Sequence, residues 1–266
     1  MRVVSDDMEV WRFLELEVRD GYWNMALDEA ILNAVIEKQS PNTLRFYKWN
    51  PSTASIGRNQ SLSDEVDIEI CEEKGFTIVR RITGGGAVFH DCRREITYSI
   101  VCPISFLESL NAIKVLEQFE IITQGISTGL TLFGLESEKG IIHCPAIFIE
   151  GKKFSGNAQV RKKGYILQHG TILLEIDPEL MYSVLKTPPN VSKSRMVRSV
   201  RTKVTGIKDY LKDYEEKKLI NSLKKGFEQT LGIRLEEENI SDFELNLAKE
   251  LVVEKYSNST WLKKYA

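Results

Sequence analysis

The segment Arg80-Arg81-Ile82-Thr83-Gly84-Gly85-Gly86-Ala87-Val88-Phe89-His90-Asp91 breaks a β-favouring region with three consecutive glycines. Glycine weakens a strand and packs nothing, so such a run lowers stability unless the backbone has work that a side chain would obstruct. Close approach of backbone N–H groups to a phosphate or carboxylate is one such use. If the preceding run FTIVRRI (76–82) is a strand, Arg80 and Arg81 project to opposite faces and only one of them meets a ligand. A glycine-rich surface turn flanked by solvated arginines is the simpler alternative, and this motif alone does not decide between them.

Two later segments share its character. Gly151-Lys152-Lys153-Phe154-Ser155-Gly156-Asn157-Ala158-Gln159 runs two lysines into small and amide-bearing residues, again with a glycine inside a strand pattern. A lysine ammonium beside a mixed anhydride stabilises charge on both phosphate and carbonyl oxygen in a transition state. A hairpin turn with solvated lysines is the plainer reading. Leu167-Gln168-His169-Gly170-Thr171-Ile172-Leu173-Leu174 sets one of three histidines in an apolar strand, where a satisfied core histidine is commoner than a catalyst.

Around these motifs, WRFLELE (11–17), TLRFYKW (43–49), ASIGR (54–58) and EITYSIV (95–101) read as strands. Asn24–Ile36 reads as a helix, with Leu27, Ala30, Ile31, Ala34 and Val35 on one stripe. DEVDIEICEEKG (64–75) predicts a helix closing on Gly75, and residues 108–133 predict one long helix. Residues 147–160 and 164–177 predict two strands around the basic turn Arg161-Lys162-Lys163-Gly164. From about Pro178 the pattern changes to charged, amphipathic helices. Strands before 177 and helices after it make an α+β pattern rather than a regular βαβ repeat.

Composition sets the limits. The 266 residues carry 36 basic and 38 acidic side chains, a net charge of −2, with 42% hydrophobic and 28% charged residues. That suits one large soluble domain with a sizeable core. It argues against a chain built to grip a nucleic-acid backbone. No stretch approaches the roughly 20 apolar residues of a membrane helix. Acidic residues in the first seventeen positions argue against a secretory signal. Cys71, Cys92, Cys102 and Cys144 follow no zinc-ligand spacing, so free thiols and a cytoplasmic setting are expected.

Taken in order, RRITGGGAVFHD, GKKFSGNAQ and LQHGTILL resemble the lipoate–protein ligase A family of the biotin/lipoate protein ligase superfamily, and NMALDEAIL and RFYKWNPSTASIGRNQS add to the match. The resemblance covers roughly residues 10–210. It implies a mixed, mostly antiparallel sheet flanked by helices. It also implies activation of lipoate by ATP to lipoyl-AMP, then transfer to a lysine of a lipoyl carrier domain. That carrier is a 2-oxoacid dehydrogenase E2 or a glycine cleavage H protein. Residue by residue, Lys153 would be catalytic, contacting lipoyl carbonyl and adenylate phosphate. Arg81, Gly86, Ala87, Val88 and Phe89 would meet the nucleotide. Gly84, Gly85 and His90 would line the same loop, Gly156 the turn beyond Lys153, and His169 and Gly170 the floor of the acyl pocket. Burying an eight-carbon tail is worth about 0.8 kcal/mol per CH₂, so that pocket should be mainly hydrocarbon-lined. Mg²⁺ would offset triphosphate charge; its ligands are unknown, with Asp91 a candidate only as a neighbour of the loop.

The chain departs from the family pattern twice. Where many of these ligases carry Asn-Asp before the GKK turn, this chain has Pro145-Ala146, preceded by His143-Cys144. A related branch, the octanoyltransferases, uses a cysteine in this region to take octanoate from acyl carrier protein as a thioester, without ATP. Cys144 beside a histidine is a reasonable activated thiolate and equally a small apolar core residue. The triple glycine favours the ligase. The second departure is length. One catalytic domain is expected over 1–266, with a core at about 10–210, C-terminal helices at about 211–266 and no C-terminal accessory domain. This is the form of the short archaeal-type catalytic subunit, which obtains a small accessory protein separately. Lys193, Arg195, Arg198, Arg201 and Lys203 form a basic run that is either a solvated face or a docking surface for an acidic carrier.

Overall fold

The alternation that predicts strands at 43–49 and 95–101 places those two segments side by side in the middle of the main sheet. The computed structural model describes residues 8–139, 146–211 and 213–265. Along the chain run β1 (Glu9–Arg19), α1 (Gly21–Ile36), β2 (Thr43–Trp49), β3 (Thr53–Ile56), α2 (Leu62–Glu65), α3 (Ile68–Glu73), β4 (Thr77–Arg80), β5 (Val88–His90) and β6 (Glu95–Pro103). Then come α4 (Ile104–Ser109), α5 (Val115–Phe133), β7 (Glu138–Lys139), β8 (Ala146–Ile149), β9 (Lys152–Lys162) and β10 (Tyr165–Leu173). The remainder is α6 (Pro178–Val184), α7 (Lys193–Lys203), α8 (Glu216–Leu231), β11 (Ile233–Glu237), α9 (Asp242–Leu251), a π-helical turn at Val252–Tyr256 and α10 (Ser259–Leu262).

The main sheet has the order β11-β1-β2-β6-β10-β9-β8-β7. The β11–β1 and β1–β2 pairings are parallel and every other pairing is antiparallel. This is the mixed, mostly antiparallel α+β architecture expected. A second sheet, β4-β3-β5, carries the glycine loop between its outer strands.

Strand periodicity sorts side chains onto two faces. Leu44, Phe46, Tyr98, Ile100 and Ile166 pack with Ile122, Ile126, Leu223 and Phe227 of α5 and α8. Tyr47, Trp49, Val101 and Leu167 turn the other way, toward Leu27, Ala30 and Ile31 of α1. Register then aligns Arg45 with Ser99, and Ser99 with His169, so three polar residues form one row across β2, β6 and β10 on the α1 side.

Four local expectations are corrected. Residues 64–75 make two short helices, because Val66 is extended and bridges Leu185 while Asp67 caps α3 by accepting from the Ile70 N–H at 3.2 Å. The long helix expected at 108–133 is interrupted. Asn111 adopts φ 66°, and the Glu117 carboxylate accepts from the Ile113 and Lys114 N–H groups to start α5 afresh. The strand expected at 147–160 is a hairpin, β8 and β9, turning at Glu150 and Gly151, both with positive φ. The region after 210, expected to be helices only, contains β11, which extends the main sheet by pairing Glu9 with Ile233. With α8 on α5 and α9 on α1, residues 213–265 are part of the main body rather than an appended tail.

Candidate active site

Asp28 of α1 is buried over the polar row and organises it. Its Oδ1 accepts from Arg45 Nη1 at 3.1 Å and Ser99 Oγ at 2.8 Å. Its Oδ2 accepts from Tyr47 OH at 2.9 Å and His169 Nδ1 at 3.1 Å. Burial alone would raise the Asp28 pKa, but the hydrogen bond from His169 and the Arg45 charge outweigh it and hold the carboxyl below its usual value. Tyr47 is pushed the other way, by burial and then by the Asp28 charge, so it stays a protonated donor. Burial lowers the His169 pKa against the pull of Asp28, which keeps the ring neutral at pH 7. The network assigns its tautomer: Nδ1–H donates to Asp28, and Nε2 accepts from Thr83 Oγ1 at 2.7 Å.

Thr83 leads to the glycine loop. Arg81, buried behind that loop, donates through Nε to Thr83 Oγ1 at 3.1 Å, and through Nη1 to the Ser55 carbonyl at 3.1 Å and Ser55 Oγ at 3.0 Å. Its Nη2 donates to the carbonyls of Gly84 at 2.8 Å and Gly86 at 2.7 Å. All five guanidinium N–H groups are thus engaged by the protein. Burial draws its pKa down to about 10, still charged at neutral pH. With His90 Nδ1–H directed at the Glu95 carboxylate, Ser55 Oγ–H donates a hydrogen bond to His90 Nε2 at 3.1 Å. His90 Nδ1 lies 2.6 Å from Glu95 Oε1, with the ring stacked 4.0 Å from Trp49. Two hydroxyl–histidine–carboxylate chains therefore converge on one arginine.

Arg80 faces away, as strand geometry predicts for adjacent residues. It donates to the carbonyls of Gly57, Arg58 and Gln60 and to those of Trp261 and Leu262, while Trp261 Nε1 donates back to the Arg80 carbonyl at 2.8 Å. The C-terminal segment is thereby fastened to the base of the loop.

Between the glycine loop and β9–β10 lies a cavity of about 350 Å³. Of the described site residues named from the sequence, Lys153, Arg81, Gly85, Gly86, Ala87, Val88, Phe89, His90, Gly156, His169 and Gly170 border it, whereas Gly84 and the metal candidate Asp91 do not. Cys144 and His143 lie outside the described residues. Met25, Trp49, Leu173, Met181, Leu185 and Val204 add a hydrocarbon wall. Lys153 is half-buried on β9, and its side chain has no hydrogen-bond or ion-pair partner among the described residues. The Lys153 carbonyl accepts from Thr205 N–H at 3.0 Å, which ties this strand to the end of α7. Gly170 is required by packing, since a Cβ there would stand 2.0 Å from Asn157 Oδ1.

Sequence reasoning missed Asp28, Arg45, Ser55, Thr83, Glu95 and Ser99. One signal was present. Arg45 alternates with Tyr47 and Trp49 along an interior strand, and a buried guanidinium demands a buried counter-charge. Asp91 does not fit an Mg²⁺ site: Oδ1 accepts from Arg93 N–H at 2.9 Å and Oδ2 from Arg94 Nη1 at 2.7 Å. No group of three or more His, Cys, Asp or Glu side chains among the described residues is arranged to hold a metal.

A mostly antiparallel sheet with a glycine loop, a lysine and an apolar cavity on one side is the lipoate ligase type of fold. The chain belongs to the lipoyl protein ligase A/B catalytic domain family, whose pattern matches residues 20–228. It is 37% identical to the octanoyltransferase LipM of Brevibacillus brevis, over 96% of this chain and 99% of that protein. It is 34% identical to that of Bacillus subtilis, over 95% and 98%. Among solved structures it resembles lipoate-protein ligase A bound with ATP, with TM-score 0.82 and 28% identity over 97% of this chain and 100% of that one. An archaeal bi-partite lipoate protein ligase from Thermoplasma acidophilum, solved in work on that system and its E2 lipoyl domain, matches with TM-score 0.83 and 29% identity over 97% and 98%. The family and the fold stand as the motifs implied. The curated relatives matched nearly end to end are octanoyltransferases, so the expected ATP-dependent ligation is carried only as far as the family. No helix among the described residues is long and apolar enough to cross a membrane.

Proposed function

We propose that this chain is an octanoyltransferase, moving an octanoyl group from acyl carrier protein to a lysine of a lipoyl carrier domain without ATP. The observation that carries this reading is the near end-to-end likeness to octanoyltransferases at 33–37% identity, against 28–29% for the ATP-bound ligase and the archaeal ligase. It is preferred over the ATP-dependent lipoate ligase expected from the resemblance of the three motifs, which the triple glycine favours. That second reading keeps one supporting observation, the structural match to a ligase bound with ATP. The metal it needs finds no fit at Asp91, and Arg81 has no N–H left for a phosphate.

In the first step the Cys144 thiolate attacks the thioester carbonyl of octanoyl carrier protein. The C–S bond to the phosphopantetheine arm breaks, and that sulfur leaves as a thiol carrying the proton that the Cys144 thiol gave up in becoming the thiolate. In the second step the neutral lysine amine of the lipoyl carrier domain attacks the octanoyl-cysteine. A C–N bond forms, the bond to Cys144 breaks, and the amine's proton ends on the departing sulfur. Lys153 borders the cavity with its ammonium available to stabilise the thiolate and the developing carbonyl oxyanion. The apolar wall holds the octanoyl tail.

The test is mass spectrometry of a lipoyl carrier domain incubated with the purified chain and octanoyl carrier protein in the absence of nucleotide. Octanoyl-lysine should appear, together with an octanoyl adduct on Cys144, and both should vanish in Cys144→Ala. Ligation that requires ATP and lipoate, and survives Cys144→Ala, would restore the ligase reading.

A further inference from the structure

Arg81 borders the cavity, yet its hydrogen bonds point it at the protein. Its Nη2 grips the carbonyls of Gly84 and Gly86. In a planar trans peptide the N–H points opposite to the C=O. The N–H groups sharing those peptides belong to Gly85 and Ala87, so both are turned away from the guanidinium. Neither has an acceptor among the described residues, and both residues border the cavity. Gly85 has φ +93°, a conformation that suits glycine. The Gly85 carbonyl is in turn pressed against Gly57, where a Cβ would meet it at 2.1 Å.

We propose that Arg81 is a positioning residue that works from behind the glycine loop. By holding the Gly84 and Gly86 carbonyls, it presents the Gly85 and Ala87 N–H groups as an oxyanion hole for the acyl carbonyl. The two chains Thr83–His169–Asp28 and Ser55–His90–Glu95 hold Arg81 in that role. When the carrier lysine attacks, its nitrogen bonds to the acyl carbon and the C=O pair moves onto oxygen, where the two N–H groups receive it. The pair then returns as the bond to the leaving sulfur breaks, and that sulfur takes the proton the amine gives up. A cation that meets the ligand directly can be replaced in kind by another cation. One that fixes three carbonyls and two hydroxyls at once cannot, because an ammonium lacks the planar fork.

This inference rests on the acyl-transfer reading, and its test separates the two. The donors are the octanoyl thioester of N-acetylcysteamine and its dithioester analogue, in which sulfur replaces the carbonyl oxygen. The acceptor is a lipoyl carrier domain. The native chain should strongly prefer the oxygen donor, because an N–H pair built for an oxyanion accepts sulfur poorly. Arg81→Lys should lower kcat with the oxygen donor by about 10²-fold, the scale of losing an oxyanion-hole donor. KM should stay within about twofold, and the preference for oxygen over sulfur should collapse. Thr83→Val, outside the cavity lining, should give the same signature at about tenfold, and it serves if Arg81→Lys does not fold. Unchanged kcat in both variants, or equal loss with both donors, would overturn the positioning role alone. A native chain that transfers octanoyl from neither carrier protein nor the small thioester overturns the acyl-transfer reading and this inference with it.

Discussion

Arg81 and Lys153 border the same cavity in opposite circumstances. Arg81 is buried, with every donor committed and two carboxylates one hydroxyl and one histidine away. Lys153 sits on a strand after a turn, half-buried and unpartnered among the described residues. A desolvated arginine with five bonds holds a shape and cannot respond to a ligand without breaking that shape. A lysine on a flexible stem can respond, because little in the protein competes for its ammonium. The loop side of the cavity is thus built for rigidity, and the β9 side for contact.

The largest expected effect tests the contact side. Lys153→Ala should reduce octanoyl transfer by about 10³-fold, the upper range for losing a group that stabilises an oxyanion, followed by mass spectrometry of the carrier. Its melting temperature should stay close to that of the native chain, since no polar partner is lost. The rigid side should show the reverse. Arg45→Met leaves Asp28 as an unpaired buried charge, and denaturant unfolding should record a loss of about 3–5 kcal/mol. If Lys153→Ala proved as destabilising as Arg45→Met, the distinction between the two sides would fail.

Acidity sharpens the same contrast. His169 has a folded pKa below its ordinary 6.5, so below that pH the unfolded chain binds more protons and stability falls as pH drops. Asp28 is also lowered, so a further loss begins as pH falls through its ordinary 3.8. Thermal melts from pH 8 downward should be flat and then decline from about 6.5, and His169→Gln should remove that first decline. The smallest effect belongs to α7, whose side chains are nowhere fully buried. Reversing Arg195 and Arg198 to Glu should raise the KM for an acidic carrier roughly threefold, the scale of exposed charges. It should leave kcat unchanged, and added salt should erase the difference.

Much of this was legible because strand periodicity is strict. TLRFYKW and EITYSIV alternate cleanly, and the glycine loop stands out by composition. β11 was not legible: IRLEE alternates over only five residues directly after an amphipathic helix, and its Ile233 and Leu235 join the core only once β11 pairs with β1 across more than 200 residues of sequence. Asp28 was hidden because α1 is buried on most sides, so its polar residue looked like one more position on a helical surface. What makes it functional is register between β2, β6 and β10, which no local window of sequence contains.

The grip of Arg80 on the carbonyls of Trp261 and Leu262 bears on when the site comes into being. A ribosome emits the glycine loop some 180 residues before the segment that fastens its base. β11, the partner of the first strand, emerges almost as late. Whatever folds earlier during synthesis lacks both fastenings. The base of the glycine loop therefore gains its last fastening only after translation has passed residue 262, and a chain stalled short of that point carries the site residues without the contacts that hold Arg80 to the C-terminal segment.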